Sequence, residues 1–157
     1  MKLKYPTVKL LLTTDYLLLT AIKRLCYAFF MSFRFRKFEI YKLAKKLHLT
    51  ITEITTEFSK SNYYIVDQVR RSSLSIVLNI AEGSSKQSDK DFNRFISIAL
   101  GSLDETVACL EICVELRMVT DMKFKELEAE YEILSKQLGG FSKSLKLAES
   151  VVRSKKS

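Results

Sequence analysis

From Phe38 onward, apolar residues return at steps of three and four, the spacing that stacks side chains along one face of an α-helix. A strand would need alternation every second residue. Residues 37–58 place Phe38, Tyr41, Ala44, Leu47, Ile51, Ile54 and Phe58 on one face. A second segment covers residues 62–82, with Ser61 or Asn62 as its cap, and Gly83 just past its end suits the left-handed conformation that often stops a helix. A loop runs on to Ser88. There Ser-Asp-Lys-Asp resembles a capping box with Asp91 in place of Glu, and it opens a third helix that continues to about Met118. Its inward face is Phe92, Phe95, Ile96, Ala99, Leu103, Leu110 and Val114. Thr120 and Asp121 start the fourth helix, which carries Phe124, Leu127, Tyr131, Leu134, Leu138, Phe141, Leu145 and Ala148, with Gly139-Gly140 as a candidate bend.

One Pro and four Gly leave little material for the turns of a many-stranded sheet, and 157 residues with 47% apolar content fill one core better than two. Short connections between amphipathic helices favour antiparallel neighbours. The expected fold is therefore all-α, an up-down-up-down antiparallel four-helix bundle over residues 36–152 with an extra N-terminal segment, residues 1–35, and a basic tail, residues 153–157.

The net charge of +8 is unevenly spread: residues 1–36 contribute +6 and the rest of the chain only +2. Leu10 to Leu12 and Tyr16 to Ile22 are apolar, yet Lys9, Asp15, Lys23 and Arg24 cut the stretch well short of the roughly 20 residues a membrane span requires. Asp15 also argues against a signal peptide. The segment reads either as a peripheral helix or as an upstream extension of a chain that starts at Met31. Three cysteines, Cys26, Cys109 and Cys113, make no disulfide framework, which points to a reducing compartment, the cytoplasm.

Two polar stripes stand out. On the second helix Gln68, Arg71, Ser75, Asn79 and Glu82 align, and on the third Arg94, Ser97, Gly101, Glu105 and Ala108 do the same. Folding the two helices about the intervening loop brings Asn79 to Arg94, Ser75 to Ser97, and Arg71 between Gly101 and Glu105. In that arrangement Arg71–Glu105 and Arg94–Glu82 are the expected charge pairs, and Gly101 makes room for the Arg71 side chain. The stripes then form a hydrogen-bonded seam that sets helix register; the alternative is that both are simply solvated faces.

Catalytic groupings are scarce. His48 is the only histidine and has no nucleophile arranged near it in sequence, so a solvated or core-edge ring fits better than a general base. Cys109 and Cys113 lie one turn apart without a second ligand pair, which favours buried thiols over a metal site. No Gly-rich phosphate loop appears. The chain is expected to be no enzyme and to need no metal or cofactor. For nucleic acid, the candidate backbone contacts are Arg70, Lys86, Lys90 and Arg94 near the turn between the second and third helices.

The run from Gln68 to Gly83, ending Asn-Ile-Ala-Glu-Gly, and the run from Phe92 to Glu105, with Ala-Leu-Gly-Ser at 99–102, resemble the signature of a bacterial family. It is the family of four-helix-bundle proteins first noted in intervening sequences of 23S ribosomal RNA genes. Phe38-Glu-Ile-Tyr-Lys-Leu-Ala44 looks like the usual start of that family, so the likeness covers residues 35–150. At Val77 this chain departs from a frequent Pro, and the extension before Met31 is also outside the pattern. The resemblance implies a bundle that assembles into a ring, often a homopentamer, without established catalysis. The family is similar to the accessory variability determinant proteins of diversity-generating retroelements, basic pentamers that engage nucleic acid and a reverse transcriptase. That likeness implies RNA binding, with DNA or a protein partner as the other candidates.

Overall fold

The computed structural model describes residues 33–58 and 62–154, with side chains to residue 150. The expectations for the N-terminal extension, Cys26, Ser61 and the last residues of the tail lie outside the described residues. A 3-10 turn at Arg34–Lys37 leads into α1 (Glu39–Ile54), which closes in a second 3-10 turn at Thr55–Glu57. Three longer helices follow: α2 (Tyr63–Ser84), α3 (Asp89–Glu115) and α4 (Asp121–Ser154). Among the described residues there is no strand.

Contacts between distant residues set the topology. His48 and Ser73 join α1 to α2, Ser75 and Ser102 join α2 to α3, and Asn93 and Ser142 join α3 to α4. Lys46 and Glu130 close the ring between α1 and α4. A second contact in each of three pairs runs in the opposite order, Thr55 to Arg70 for α1–α2, Gln68 to Glu105 for α2–α3 and Phe38 to Phe141 for α1–α4, and the short link from Glu115 to Asp121 folds α4 back on α3, so all four neighbours run antiparallel, up-down-up-down as expected.

The core follows the apolar period. Leu47, Ile51, Val69, Ile76, Ile80, Ile96, Leu110, Leu134 and Leu138 are buried between the four helices. Near the α2–α3 turn, Phe92 takes an aromatic layer: its ring lies 6.0 Å from Phe38 and 5.1 Å from Phe141. Cys109 and Cys113 are buried free thiols, as the spacing implied. Burial pushes the Cys109 thiol up, and it raises Cys113 to about 11, with the neighbouring Cys109 adding to the shift. Ala148, placed on the inward face by its period, is exposed near the end of α4, beyond the last buried leucine at Leu145.

Helix ends show how local chemistry stops and starts the chain. The Asp91 amide donates to Ser88 Oγ at 3.0 Å, and the Ser88 hydroxyl donates to the Asp91 carboxylate at 2.6 Å, so the cap read from sequence forms. Thr120 Oγ1 accepts from the Lys123 amide in the same way. Asn62 is the N-cap of α2 but makes no side-chain cap bond. The end of α3 is a Schellman turn: the Met118 amide reaches the Cys113 carbonyl and the Arg117 amide reaches that of Val114. Arg117 holds the left-handed position with φ 57°, where glycine is the usual occupant. The helix α4 runs through Gly139-Gly140 without a break.

Gly83 corrects the sequence reading. It lies inside α2, and among the described residues no glycine has positive φ. Its function is close approach. A Cβ there would stand 2.6 Å from Phe92 Cδ2 and 2.8 Å from Phe95 Cβ, so the start of α3 packs directly against the Gly83 backbone.

Candidate functional site

The hairpin of α2 and α3 holds the most extensive helix contact, and a polar seam runs along it. Gln68 donates to the Glu105 carboxylate, Thr106 Oγ1 lies 2.9 Å from Ser72 Oγ, and Ser75 Oγ lies 2.8 Å from Ser102 Oγ. Asn79 Nδ2 donates to the Ser75 carbonyl at 2.8 Å, one turn back on its own helix. The seam expected from the two stripes exists, but its α3 side differs. Ser102 and Thr106 supply it in place of Ser97 and Gly101. Both are buried between the polar stripe and the apolar face, and their hydroxyls back-bond to the Ile98 and Ser102 carbonyls, which satisfies them inside a helix. Ser97 turns to the Asn93 carbonyl on the exposed side.

Neither expected charge pair forms. Arg71 pairs with Asp67 on its own helix at 3.5 Å, and Gln68 takes Glu105. Lys86 takes Glu82 at 3.0 Å, and Arg94 lies over the Phe95 ring, 6.0 Å from its centroid. Arg71 and Lys86 settle on carboxylates one turn away along the chain, a contact that needs no ordering across the interface, and Gln68 alone of these side chains reaches Glu105 across it. Gly101 accommodates nothing: a Cβ there would meet no atom within 4 Å.

The four candidate phosphate contacts separate into two groups. Arg70 is half-buried, and its Nε donates to Thr55 Oγ1 at 2.7 Å, tying α2 to the 3-10 turn after α1. It serves the fold. Lys86, Lys90 and Arg94 gather at the α2–α3 turn, where Lys86 Nζ stands 4.6 Å above the Phe95 ring on which Arg94 also rests. Lys90 is exposed there.

Other features were not legible from sequence. His48 Nδ1 lies 2.8 Å from Ser73 Oγ, whose hydroxyl also reaches the Arg70 carbonyl at 3.0 Å. Burial lowers the His48 pKa, so the ring favours its neutral form. Ser73 is 1% exposed, which leaves it no route to a substrate. Tyr131 is buried, and its hydroxyl has no hydrogen-bond partner among the described residues. Leu74, Leu78, Ile98 and Ile112 are exposed on α2 and α3, and Leu74 and Leu78 line a cleft of about 400 Å³ with Arg71 and Glu82. Among the described residues no group of three His, Cys, Asp or Glu is placed to hold a metal, and no helix is long and apolar enough to cross a membrane.

These features define a class: a closed antiparallel four-helix bundle whose second and third helices are registered by a buried hydroxyl seam. The 23S rRNA-intervening sequence proteins match residues 36–140, and the chain belongs to that family. It is also similar to a crystal structure of a protein of unknown function from the S23 ribosomal protein family of Bacteroides thetaiotaomicron VPI-5482. The TM-score is 0.63 at 23% identity, over 66% of this chain and 98% of that one, a likeness of fold. No curated protein matches the chain.

Proposed function

We propose that the protein is a non-catalytic helical bundle that assembles with copies of itself, as a homopentamer, and binds nucleic acid, RNA in preference to DNA. The observation that carries the reading is a cluster of basic side chains around one ring at the end of the α2–α3 hairpin, where Lys86 and Arg94 bracket Phe95 and Lys90 stands exposed beside them, with Glu82, Asp89 and Asp91 interspersed. Cations fixed around an aromatic ring suit a phosphate backbone with a base nearby. The inaccessibility of Ser73 next to the only histidine supports a non-catalytic role.

The test is a polarisation titration of the full chain against labelled structured RNA and the same sequence as DNA, across a salt series. Affinity is expected to fall with salt, and the Lys90→Gln/Arg94→Gln variant to bind more weakly. No binding to either nucleic acid at low salt sinks the reading. Light scattering should return about five times the 18.1 kDa chain mass, and a monomer refutes the assembly.

A second reading, a scaffold for another protein, draws on the exposed Leu74, Leu78, Ile98 and Ile112. Polar substitution of Leu78 and Ile98 that abolishes a protein partner's capture while RNA binding persists would favour it.

A further inference from the structure

The outward face of α1 carries a groove of about 730 Å³ that is separate from the seam and from the α2–α3 turn. Arg36, Lys42, Lys45 and Lys46 line it against the one carboxylate of Glu53, with Tyr41 and Leu49 supplying apolar surface. The Tyr41 ring is held edge-on against Phe35, with centroids 4.6 Å apart at 62°. Lys42 and Lys46 are separated by one helical turn, about 6 Å of rise, and Lys45 lies between them.

This spacing is unfavourable for an isolated helix. Lys42 stands at i,i+3 to Lys45 and at i,i+4 to Lys46, the positions where like charges repel along a helix. Acidic neighbours relieve it only in part. Lys42 meets Glu39 at 2.6 Å and Lys46 meets Glu130 at 2.9 Å, both as exposed surface pairs of the weak kind. Lys45 is exposed and has no ion pair among the described residues. Phosphate oxygens can exchange with the carboxylates at little cost and would relieve the repulsion among three cations at once. Phe38, at the start of α1, stacks on Phe92 in the first turn of α3, so the groove begins at the same end of the bundle as Lys86, Lys90 and Arg94.

We propose that the α1 groove is a binding site for a single-stranded stretch of nucleic acid, with Lys42, Lys45 and Lys46 on successive phosphates and a base against Tyr41. The inference rests on the nucleic-acid reading above and adds a second, separately testable surface to it. The charge of the groove selects a polyanion, and the aromatic ring selects one that carries bases.

The experiment is a polarisation titration of the full chain with a labelled, unstructured oligouridylate of about 12 nucleotides. The variants are Lys45→Gln/Lys46→Gln, Tyr41→Leu and, at the other surface, Lys90→Gln/Arg94→Gln. The double lysine variant is expected to weaken binding about tenfold and to flatten the salt dependence by about 1.4 in log–log slope, two phosphates at about 0.7 each. Tyr41→Leu is expected to weaken binding at least fivefold with the salt slope unchanged, and Tyr41→Phe to retain it. Both lysines are exposed, so thermal melts of the double variant should match the parent. If the parent binds and the double lysine variant binds equally well, the groove is overturned while the broader reading stands on the turn variant. If the parent binds no RNA at low salt, both fall.

Discussion

Substituting Ala for Gly83 and for Gly101 is expected to move stability in opposite directions, although both glycines sit inside helices. Helix propensity alone would stabilise each by about 1 kcal/mol, because Ala loses less backbone freedom on folding. At Gly101 nothing opposes that gain, since an added Cβ meets no atom within 4 Å. At Gly83 the methyl group would stand 2.6 Å from Phe92 Cδ2, roughly 0.8 Å inside ordinary contact. The ring cannot give way. Phe92 is 2% exposed, stacked on Phe38 and met edge-on by Phe141, and the second close atom, Phe95 Cβ, is fixed to the α3 backbone. The two helices must separate at their closest point, and overpacking of this kind costs about 1–3 kcal/mol beyond any propensity gain. At about 4 °C per kcal/mol for a domain of this size, Gly83→Ala should lower Tm by roughly 4–12 °C and Gly101→Ala should raise it by a few degrees. Circular dichroism melts of the two variants and the parent at one concentration decide the matter. A Gly83→Ala protein as stable as its parent would refute the close-approach argument.

Arg117→Gly should stabilise the protein by about 0.5–1 kcal/mol in urea unfolding, because glycine occupies the left-handed position at φ 57° without the strain of a side chain. Thr106→Val keeps the shape but removes the hydroxyl 2.9 Å from Ser72 Oγ, and a loss of about 1 kcal/mol is expected; no loss would mean that the seam fixes nothing. Cys113 is raised in the folded state from an ordinary thiol value to about 11, so the unfolded chain releases its proton first as pH climbs. Its contribution is complete below pH 9 and should be lost between about pH 9 and 11, a window that a denaturation series resolves and that Cys113→Ala should narrow. His48 acts at the other limb: its lowered pKa means that the unfolded chain takes up a proton first as pH falls below the ordinary value of 6.5. Stability should decline there, and less so in His48→Gln.

The four helices, their inward faces and the caps at Ser88 and Thr120 were legible because each depends on residues within a turn or two of one another. Leu47, Ile51, Ile96, Leu134 and Leu138 needed only a period to be placed inside. The seam was half legible. Gln68, Ser75 and Asn79 were named correctly, but Ser102 and Thr106 lie where the polar stripe borders the apolar face, and a stripe drawn through the most polar positions passes beside them. The lysines of α1 were equally visible in sequence, yet Tyr41 and the groove beside them emerge only once the 3-10 turn carries Phe35 and Arg36 back alongside the helix.

The sequence by itself determined which residues turn inward and where each helix starts, since the 3.6-residue period and the capping bonds are local. Only the tertiary structure decided which of those residues meet. The relative sliding of two helices is set by how their side chains interlock, here by Phe92 and Phe95 closing onto the bare backbone of Gly83. A slip of one turn, about 5.4 Å, would leave every inward face inward and yet exchange every polar partner. That is why Arg71 and Glu105, well placed on paper, do not pair, while Ser72 and Thr106, 34 residues apart, do.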